Sequence, residues 1–417
     1  MAEQIEASVA IATAVARCRP EVLCAYPITP QTHIVEALSR MVRAGDLAPC
    51  EMVNVESEYS ACSVAIGASA AGARAYTATA SQGLLYMAEA LFNAAGLGLP
   101  IVMTVANRAL GAPINIWNDH SDALAVRDCG FIQLYAADNQ EAIDMHILAF
   151  RIAEQLSLPV MVCMDGYVLT HAIEPLELPS QEQVDSFLPP FQPRQILDPD
   201  EPMTIGAMVG PEAFTEVRYL AHLRQQEALD AIPALAQELS ERTGRACGGL
   251  LSGYRTSDAE LVVVAMGSVL GTLEVLIDEM RSEGLSVGAL AIKTFRPFPR
   301  AEVAAALGGA ARILVLERAI AVGAGGVLTD SVRWALGARK TPLHTVIAGL
   351  GGRPITRRSL RPVLEAAATG GLGELHFLDL RQDLVDRELA RCRSSARPGP
   401  HAEAILREIG IVGAGPV

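Results

Sequence analysis

Lysine is almost absent from the 417-residue sequence. Of its 33 basic residues, 31 are arginines, and the two lysines are Lys293 and Lys340. No Gly-x-x-x-x-Gly-Lys sequence occurs, which argues against a phosphate loop of the nucleotide-hydrolase type. Because a Schiff base needs a lysine and only two are present, pyridoxal-phosphate and aldolase chemistry are disfavoured.

Cysteines are few and scattered, and no Cys-x-x-Cys pair occurs. This spacing excludes the usual iron–sulfur and zinc ligand sets within the chain. Most of the cysteines lie in apolar segments, where a cysteine is usually a small core residue. If the protein carries out redox chemistry, its electrons must leave through something other than a metal cluster held by these cysteines. The eight cysteines are Cys18, Cys24, Cys50, Cys62, Cys129, Cys163, Cys247 and Cys392.

The chain also lacks a net positive charge and long apolar runs. The net charge of −14 argues against nucleic-acid binding, which needs clustered cations. No run of about 18 apolar residues occurs, so no membrane span is expected. The first 18 residues carry two early acids and no basic leader, which favours an amphipathic helix over a signal peptide and predicts a cytoplasmic protein. Scarce aromatics, 5%, beside abundant Ala and Gly suit a subunit of a larger assembly.

Short apolar runs alternate with helical patterns, which predicts an α/β protein with parallel sheets. The length predicts two domains. We expect the first at residues 1–245, including a proline-rich extended arm at about 174–203, the second at 255–395, and a tail at 396–417. The expected strands of the first half are 22–26, 74–78, 101–105, 131–135 and 160–164, and its expected helices are 31–42, 59–71, 83–95, 139–156 with Asn139 as N-cap, and 212–243. The second half is expected to have strands at 261–266, 287–292, 313–316 and 344–348.

Two segments carry polar residues ahead of a predicted helix, and the first also follows a predicted strand, which is where ligands collect in parallel sheets. In Tyr26–Gln31 two prolines fix the turn and Thr29 offers a hydroxyl, although a rigid turn capped by Thr29 explains the pattern equally well. In Val55–Glu58 an acid heads a helix of small residues. Glu58 is the first candidate for a functional acid and Glu56 competes with it; the alternative is favourable charge at a helix N-terminus.

Two further segments follow predicted strands. Thr77–Gly83 brings Ser81 and Gln82 to a turn that suits an anion or a carbonyl, or simply caps a helix. Arg108 follows a buried-looking strand, and its guanidinium could bind a small carboxylate bidentately. The loop after it holds further polar residues, but Asp119, His120 and Asp122 lack the spacing of a metal motif, so no metal is predicted. The glycine turn at 267–272 is compatible with phosphate binding or with close strand–helix packing.

Taken together, these segments resemble the pyruvate:ferredoxin oxidoreductase family of 2-oxoacid:acceptor oxidoreductases. The resemblance rests on several motifs in one order: YPITPQT, VESEYSACSVAIGASAAGAR, TATASQGLLYM, NRALGAPINIWNDHSD, MDGYVLTH, MGSVLGT and TFRPFP. It implies a pyrimidine-type thiamine-diphosphate domain followed by a transketolase-C-terminal-like domain. Such enzymes decarboxylate a 2-oxoacid on thiamine diphosphate and pass the acyl group to coenzyme A.

The resemblance also implies an incomplete site. A partner β subunit would supply the diphosphate and Mg²⁺ half, a γ-type subunit and an iron–sulfur subunit would complete the enzyme, and NAD-using members add a flavin-bearing subunit. The absence of a Gly-Asp-Gly…Asn motif and of cluster-spaced cysteines agrees with that division.

Residue roles follow from the same resemblance. Glu58 matches the acid that hydrogen-bonds the aminopyrimidine ring, while Thr29 and Arg108 match positions that hold the substrate carbonyl and carboxylate. The remaining matched positions are Tyr26, Pro27, Ser81 and Gln82 on the cofactor side, and Asn107, Asn115, Trp117 and His120 around the substrate.

The substrate is less constrained by the sequence. The chain resembles the corresponding subunits of phenylglyoxylate dehydrogenases, which predicts an aryl 2-oxoacid, with pyruvate as the alternative. A non-redox thiamine-dependent transferase or decarboxylase and a scaffold subunit without catalysis are the rival readings. The presence of Glu58, Thr29 and Arg108 argues against the scaffold.

Overall fold

The fold is that of a computed structural model, which describes residues 2–411. It is built on two parallel sheets covered by helices, which confirms the expected α/β class. The elements of the first half are β1 (Glu3–Glu6), α1 (Ala7–Arg17), β2 (Val22–Ala25), α2 (Thr32–Ala44), β3 (Glu51–Asn54), α3 (Glu58–Ala70), β4 (Ala75–Thr79), α4 (Ser81–Tyr86), α5 (Ala88–Gly96), β5 (Ile101–Asn107), α6 (Ser121–Ala125), β6 (Ile132–Tyr135), α7 (Asn139–Leu156), β7 (Val160–Asp165), β8 (Ile173–Leu176), α8 (Gln181–Phe187) and α9 (Phe214–Thr243).

The second half repeats the alternation on a smaller scale. Its elements are β9 (Leu251–Tyr254), β10 (Leu261–Ala265), α10 (Val269–Ser282), β11 (Val287–Ile292), β12 (Thr294–Arg296), α11 (Arg300–Ala306), β13 (Arg312–Glu317), α12 (Val327–Leu336), β14 (Leu343–Ile347), α13 (Arg357–Thr369), β15 (Leu375–Phe377), α14 (Gln382–Ser394) and α15 (His401–Glu408). Part of the expected tail, residues 412–417, lies outside the described residues.

The larger sheet has the order β12-β6-β7-β5-β4-β2-β3 and is parallel except for β12. Every residue of β5 and β7 is buried, because helices cover both faces of these central strands. The smaller sheet has the order β15-β14-β13-β10-β11-β9, and only its edge strand β9 is antiparallel. β12 follows β11 in the chain but completes the larger sheet, so the two sheets share one stretch of chain. This three-residue strand was not predicted from the sequence.

Most predicted elements are found within two residues of their expected ends, but three expectations were wrong. The helix expected at 83–95 is two helices, α4 and α5, which meet at Met87. The N-cap of α7 is Asp138 and not Asn139, because the Asp138 side chain accepts a hydrogen bond from the Glu141 amide at 2.8 Å. The first residues form strand β1 before the expected helix begins.

The proline-rich arm is only partly extended. Its start, β8, pairs antiparallel with β1 as a two-stranded ribbon, where Pro175 is tolerated because the ribbon is all edge. The arm also contains helix α8, which begins with a capping box formed by Ser180 and Gln183. Beyond α8 it runs along the end of α3, where the Leu197 amide donates to the Ala70 carbonyl at 2.8 Å.

Six of the eight cysteines are buried, as expected of small core residues; Cys50 and Cys392 are half-buried. Burial raises the pKa of the Cys62 and Cys129 thiols to about 12. Across the described residues, no helix combines the length and the apolar character that crossing a membrane requires.

Candidate active site

The carboxyl ends of four neighbouring strands carry the predicted site residues. β3, β2, β4 and β5 are adjacent and parallel, so the segments that follow them lie along one edge of the sheet. The chain runs outward from β2 to β3 and then returns to β4 on the other side of β2. The topology therefore reverses between β2 and β4, and ligands bind at such a point in open α/β sheets. Thr29 follows β2 and Ser81 follows β4.

Glu58 begins α3 and is buried, with 7% of its surface exposed. Ser57 caps the helix by accepting a hydrogen bond from the Ser60 amide at 3.2 Å, which fixes the direction in which Glu58 enters the sheet edge. The carboxyl group packs against Gly83, where a methyl group would lie 2.5 Å from Glu58 Oε1 and 2.7 Å from Thr79 Oγ1. Gly83 is therefore required by the space that this acid occupies.

The Thr79 hydroxyl beside Glu58 is completely buried and makes no hydrogen bond with any residue that the structure describes. Glu58 itself, at 7% exposure, makes no side-chain hydrogen bond within that part of the chain. A buried carboxyl normally finds a partner. The competing acid, Glu56, is exposed and accepts a hydrogen bond from Ser60 Oγ at 2.5 Å, which lowers the pKa of Glu56. Burial and unused hydrogen-bonding capacity therefore favour Glu58 over Glu56 as the candidate for a functional acid.

Arg108 is buried and joins the loops after β5 and β2. Its Nε donates to the Asn115 carbonyl and its Nη1 to the Thr29 carbonyl, both at 2.9 Å. Since a guanidinium has five N–H groups, three remain for a ligand. The two main-chain carbonyls hold the guanidinium in one orientation next to the exposed segment at Thr29, which is the arrangement a carboxylate clamp needs.

Asp122 organises this edge of the sheet, a role that was not predicted from the sequence. It is completely buried and accepts hydrogen bonds from the Ser81 amide at 2.9 Å, the Arg108 amide at 3.0 Å and Asn107 Nδ2 at 2.8 Å. Burial raises the pKa of Asp122, and these N–H donors oppose that rise. One carboxylate thus ties the turn after β4 to the loop after β5, and it holds Ser81 at a φ of +52°, a conformation that non-glycine residues rarely adopt.

The other predicted cofactor-side residues lie on the exposed rim of the same edge. Tyr26, Pro27 and Gln82 are exposed. Gln31, which was not singled out from the sequence, is completely buried and donates from Nε2 to the carbonyls of Tyr26 at 2.9 Å and Ala78 at 3.3 Å. It fixes the loop after β2 against the end of β4, across the point where the topology reverses.

The residues predicted around the substrate divide between two roles. Asn107 is buried and serves Asp122. Asn115 donates from Nδ2 to the Gly351 carbonyl at 3.2 Å, and Trp117, 54% exposed, packs beside Gly352. These contacts dock the loop onto the second half of the chain. The Asn115 carbonyl also accepts a hydrogen bond from Arg108, but the side chains of Asn115 and Trp117 are engaged in docking.

His120 is buried against the second half of the chain and does not face the open edge, which corrects its predicted position around the substrate. It is 1% exposed, and its Nε2 lies 2.9 Å from Asp165 Oδ1. Arg318 and Ser268 of the second half also bind this carboxylate. Burial disfavours the charged form, but Arg318 and then His120 outweigh it and hold the pKa of Asp165 well below its usual value.

Gly267 belongs to this docking network and not to a phosphate turn. Its φ is +75°, and a methyl group there would lie 2.9 Å from His120 Nε2 and 3.0 Å from Asp165 Oδ2. Of the two readings of this turn, close packing is therefore the one that the structure supports.

The candidate edge is open and apolar on one side. Clefts of about 640, 560 and 530 Å³ lie elsewhere and none is lined by Glu58, Thr29 or Arg108. Tyr59 and Tyr86, 37% and 62% exposed, lie with ring centroids 6.4 Å apart on the helices that begin at Glu58 and Ser81. Exposed aromatic side chains beside a functional group are typical of a surface that another chain covers.

Comparison with known proteins gives two family matches in the order of the two halves. Residues 13–238 match the model described as pyruvate flavodoxin/ferredoxin oxidoreductase, thiamine diP-binding, and residues 259–360 match pyruvate:ferredoxin oxidoreductase core domain II.

Among curated proteins, the chain is 48% identical over 390 residues to pyruvate synthase subunit PorA of Methanosarcina barkeri, which covers 91% of this chain and 97% of that protein. It is 44% identical over 385 residues to PorA of Thermotoga maritima, with coverages of 89% and 96%. Ketoisovalerate oxidoreductase subunit VorA of Pyrococcus horikoshii is 38% identical over 365 residues, with coverages of 87% and 92%.

A solved structure supports the fold. It is 2-oxoglutarate:ferredoxin oxidoreductase from Magnetococcus marinus with 2-oxoglutarate, coenzyme A and succinyl-CoA bound, which aligns with a TM-score of 0.70 at 20% identity. The match covers 88% of this chain and 65% of that one. None of these relatives supports the expected aryl substrate; their names favour the alternative, pyruvate.

Proposed function

We propose, given that the chain belongs to the pyruvate flavodoxin/ferredoxin oxidoreductase family, that it is the α subunit of a pyruvate:ferredoxin-type oxidoreductase. With its partners it would carry out the coenzyme A-dependent oxidative decarboxylation of pyruvate. The relatives named for pyruvate, 48% and 44% identical, support this substrate over the ketoisovalerate of a relative at 38%. In this proposal residues 1–245 form the pyrimidine-type domain and residues 255–395 the transketolase-C-terminal-like domain.

The observation that carries the proposal is the 7% exposed side chain of Glu58, which lies next to the buried and unpaired hydroxyl of Thr79. The residues present fit the pyrimidine half of thiamine diphosphate, because that ring offers the hydrogen-bond partner that Glu58 lacks within the described chain. When bound, the cofactor supplies the carbanion chemistry. Glu58 holds or shares a proton at the ring, and Gly83 behind it keeps the carboxyl from retreating. Tyr26, Pro27, Ser81 and Gln82 line the cofactor side.

Arg108 and Thr29 act on the substrate in this proposal. The guanidinium, held by the Thr29 and Asn115 carbonyls, offers its three remaining N–H groups to the 2-oxoacid carboxylate. The exposed Thr29 hydroxyl donates to the neighbouring carbonyl oxygen. Both groups orient the scissile bond, and neither transfers a proton.

The partner β subunit supplies the diphosphate and Mg²⁺ half of the site. Support comes from the open edge at Glu58, from the exposed rings of Tyr59 and Tyr86, and from the lack of a Gly-Asp-Gly sequence. An iron–sulfur subunit would carry the electrons onward, since no Cys-x-x-Cys pair is present here, and a γ-type subunit would complete the complex. We propose a cytoplasmic location for the complex.

The test uses the native complex with two matched variants. Glu58→Gln keeps the size of the side chain and removes its proton exchange, so turnover should fall by about 10²–10⁴-fold while assembly is unchanged. Glu56→Gln, two residues away and exposed, should keep the wild-type rate. A normal rate for Glu58→Gln would contradict the role of this acid.

A substrate screen tests the second part of the proposal. Pyruvate, 2-oxoglutarate and phenylglyoxylate are compared by kcat/KM with coenzyme A and an acceptor dye, and pyruvate should be used best. A preference for phenylglyoxylate would overturn the substrate and leave the role of Glu58 standing.

A further inference from the structure

Three side chains with metal-binding atoms meet where the last two described helices join. Glu388 and Cys392 are four residues apart on α14, which places them on one face of that helix, and His401 is the first residue of α15. Cys392 Sγ lies 3.6 Å from His401 Nδ1 and 3.8 Å from Glu388 Oε1, and His401 Nδ1 bonds that same carboxylate oxygen. All three ligand atoms lie within 4.8 Å of one another.

The two sulfur distances match the edges of a metal tetrahedron. With zinc–sulfur and zinc–nitrogen bonds of about 2.3 and 2.1 Å, tetrahedral angles place sulfur and nitrogen about 3.6 Å apart. The observed separations from Cys392 Sγ, 3.6 and 3.8 Å, are of that size. Only the contact between His401 and Glu388 is shorter than the edge of such a tetrahedron, so these two side chains must move apart when a metal binds.

We propose that Glu388, Cys392 and His401 form a binding site for a zinc-type divalent cation, with water as the fourth ligand. Thiolate, imidazole and carboxylate are the ligands that zinc takes in proteins, whereas calcium and magnesium prefer oxygen alone. This site is independent of the thiamine half-site and of the proposed function.

Metal binding also depends on whether an ion can reach the site from solvent and on the contacts that compete with it. The His401 side chain is 68% exposed, and Cys392 is half-buried, so an ion can reach both from solvent. In the metal-free state the carboxylate of Glu388 is shared by His401 and Arg391, whose Nε donates to it at 2.7 Å. Binding replaces the contact with His401 by a shared metal and releases the Cys392 proton. Arg391 then works against binding, since its positive charge lies next to the ion.

The structural consequence is a cross-link between α14 and α15. These helices are already joined by the Arg387–Glu408 pair at 2.7 Å, which is exposed and contributes little. A metal bound by residues of both helices would fix α15 on α14 because the bound form requires their contact.

Cobalt(II) titration of the full chain tests the proposal, with the protein reduced and free of a polyhistidine tag. One equivalent should give a thiolate-to-cobalt charge-transfer band and the intense visible bands of tetrahedral cobalt, and zinc should displace both. Cys392→Ser should remove the charge-transfer band, and His401→Ala should weaken binding by more than the 10- to 100-fold typical of an outer-shell change. The matched control is Cys50→Ser, the other half-buried cysteine, which should bind as the wild type does.

Arg391→Gln gives an independent readout, because removing the competing cation should tighten cobalt binding. Absence of a charge-transfer band at one equivalent, or a band that persists in Cys392→Ser, would overturn the proposal. A band lost in Cys50→Ser would do so as well, since it would locate the thiolate elsewhere.

Discussion

A methyl group at position 83 should disable the enzyme through Glu58. In Gly83→Ala the new Cβ would lie 2.5 Å from Glu58 Oε1 and 2.8 Å from its Cδ. An ordinary non-bonded contact is about 3.5 Å, so the carboxyl must move by about 1 Å. A misplacement of about 1 Å in a catalytic group can cost about 100-fold in rate, or about 2.7 kcal/mol in the barrier. We expect that loss in kcat, with a stability cost of about 1–3 kcal/mol from overpacking.

The assay is pyruvate- and coenzyme A-dependent reduction of an acceptor dye by the reconstituted complex, after size-exclusion chromatography has verified assembly. Gly271→Ala is the matched control: it also lies in a helix, α10, but a methyl group there would meet nothing within 4 Å. It should keep the wild-type rate and gain up to about 1 kcal/mol of stability.

A double-variant cycle separates the two causes of a slow enzyme. If the alanine acts by displacing Glu58, then Gly83→Ala should cost little more once Glu58 is already glutamine. A full further 100-fold loss in the double variant, or an undiminished rate in Gly83→Ala alone, would refute the reasoning.

Three further predictions follow from contacts described above. Arg108→Lys keeps the charge but loses the planar fork, so KM for pyruvate should rise about 10- to 100-fold while KM for coenzyme A stays unchanged; equal rises would contradict a carboxylate clamp. Burial lowers the pKa of His146 from 6.5 to about 4. As the pH falls, the unfolded state therefore binds this proton before the folded state does. His146 should leave the free energy of unfolding undiminished above pH 6.5 and lower it by up to about 3 kcal/mol as the pH drops to 4. Denaturant unfolding across that range checks this, and His146→Gln should flatten the profile. Gly352→Ala should lower the free energy of unfolding by about 1–3 kcal/mol more than Gly323→Ala does. Both glycines have positive φ, but only at Gly352 would a methyl group lie 2.3 Å from a neighbouring side chain. Equal losses of stability would contradict a docking role for Gly352.

The sequence was sufficient for features that depend on local pattern. Buried strands such as β5 and β7 are continuous apolar runs, and Glu58 at the start of a small-residue helix is visible in the chain itself. The edge at which the candidate residues meet follows from parallel strands alone. The features that the sequence could not predict depend on contacts between distant parts of the chain or on very short elements. β12 has only three residues, too short for any periodicity, and Asp165 meets Arg318 across 153 positions of sequence.

The role of Asp122 shows why site residues were harder to assign than site location. Its neighbours in the chain suggested a polar loop, yet its partners Ser81 and Arg108 follow two different strands, β4 and β5. His120 was misplaced for the same reason: a histidine beside acids in a loop has the same local sequence whether it faces a ligand or a second domain.

The position of β12 in the larger sheet has a practical consequence for experiments on fragments of this protein. A chain cut after residue 245 would keep every residue proposed for thiamine and substrate, but it would leave β6 without its neighbour and expose a hydrogen-bonding edge. Exposed strand edges of this kind form hydrogen bonds with strands of other molecules. Such a fragment would be prone to self-association, so the catalytic half should be studied only with residues 294–296 and the strands that deliver them still attached.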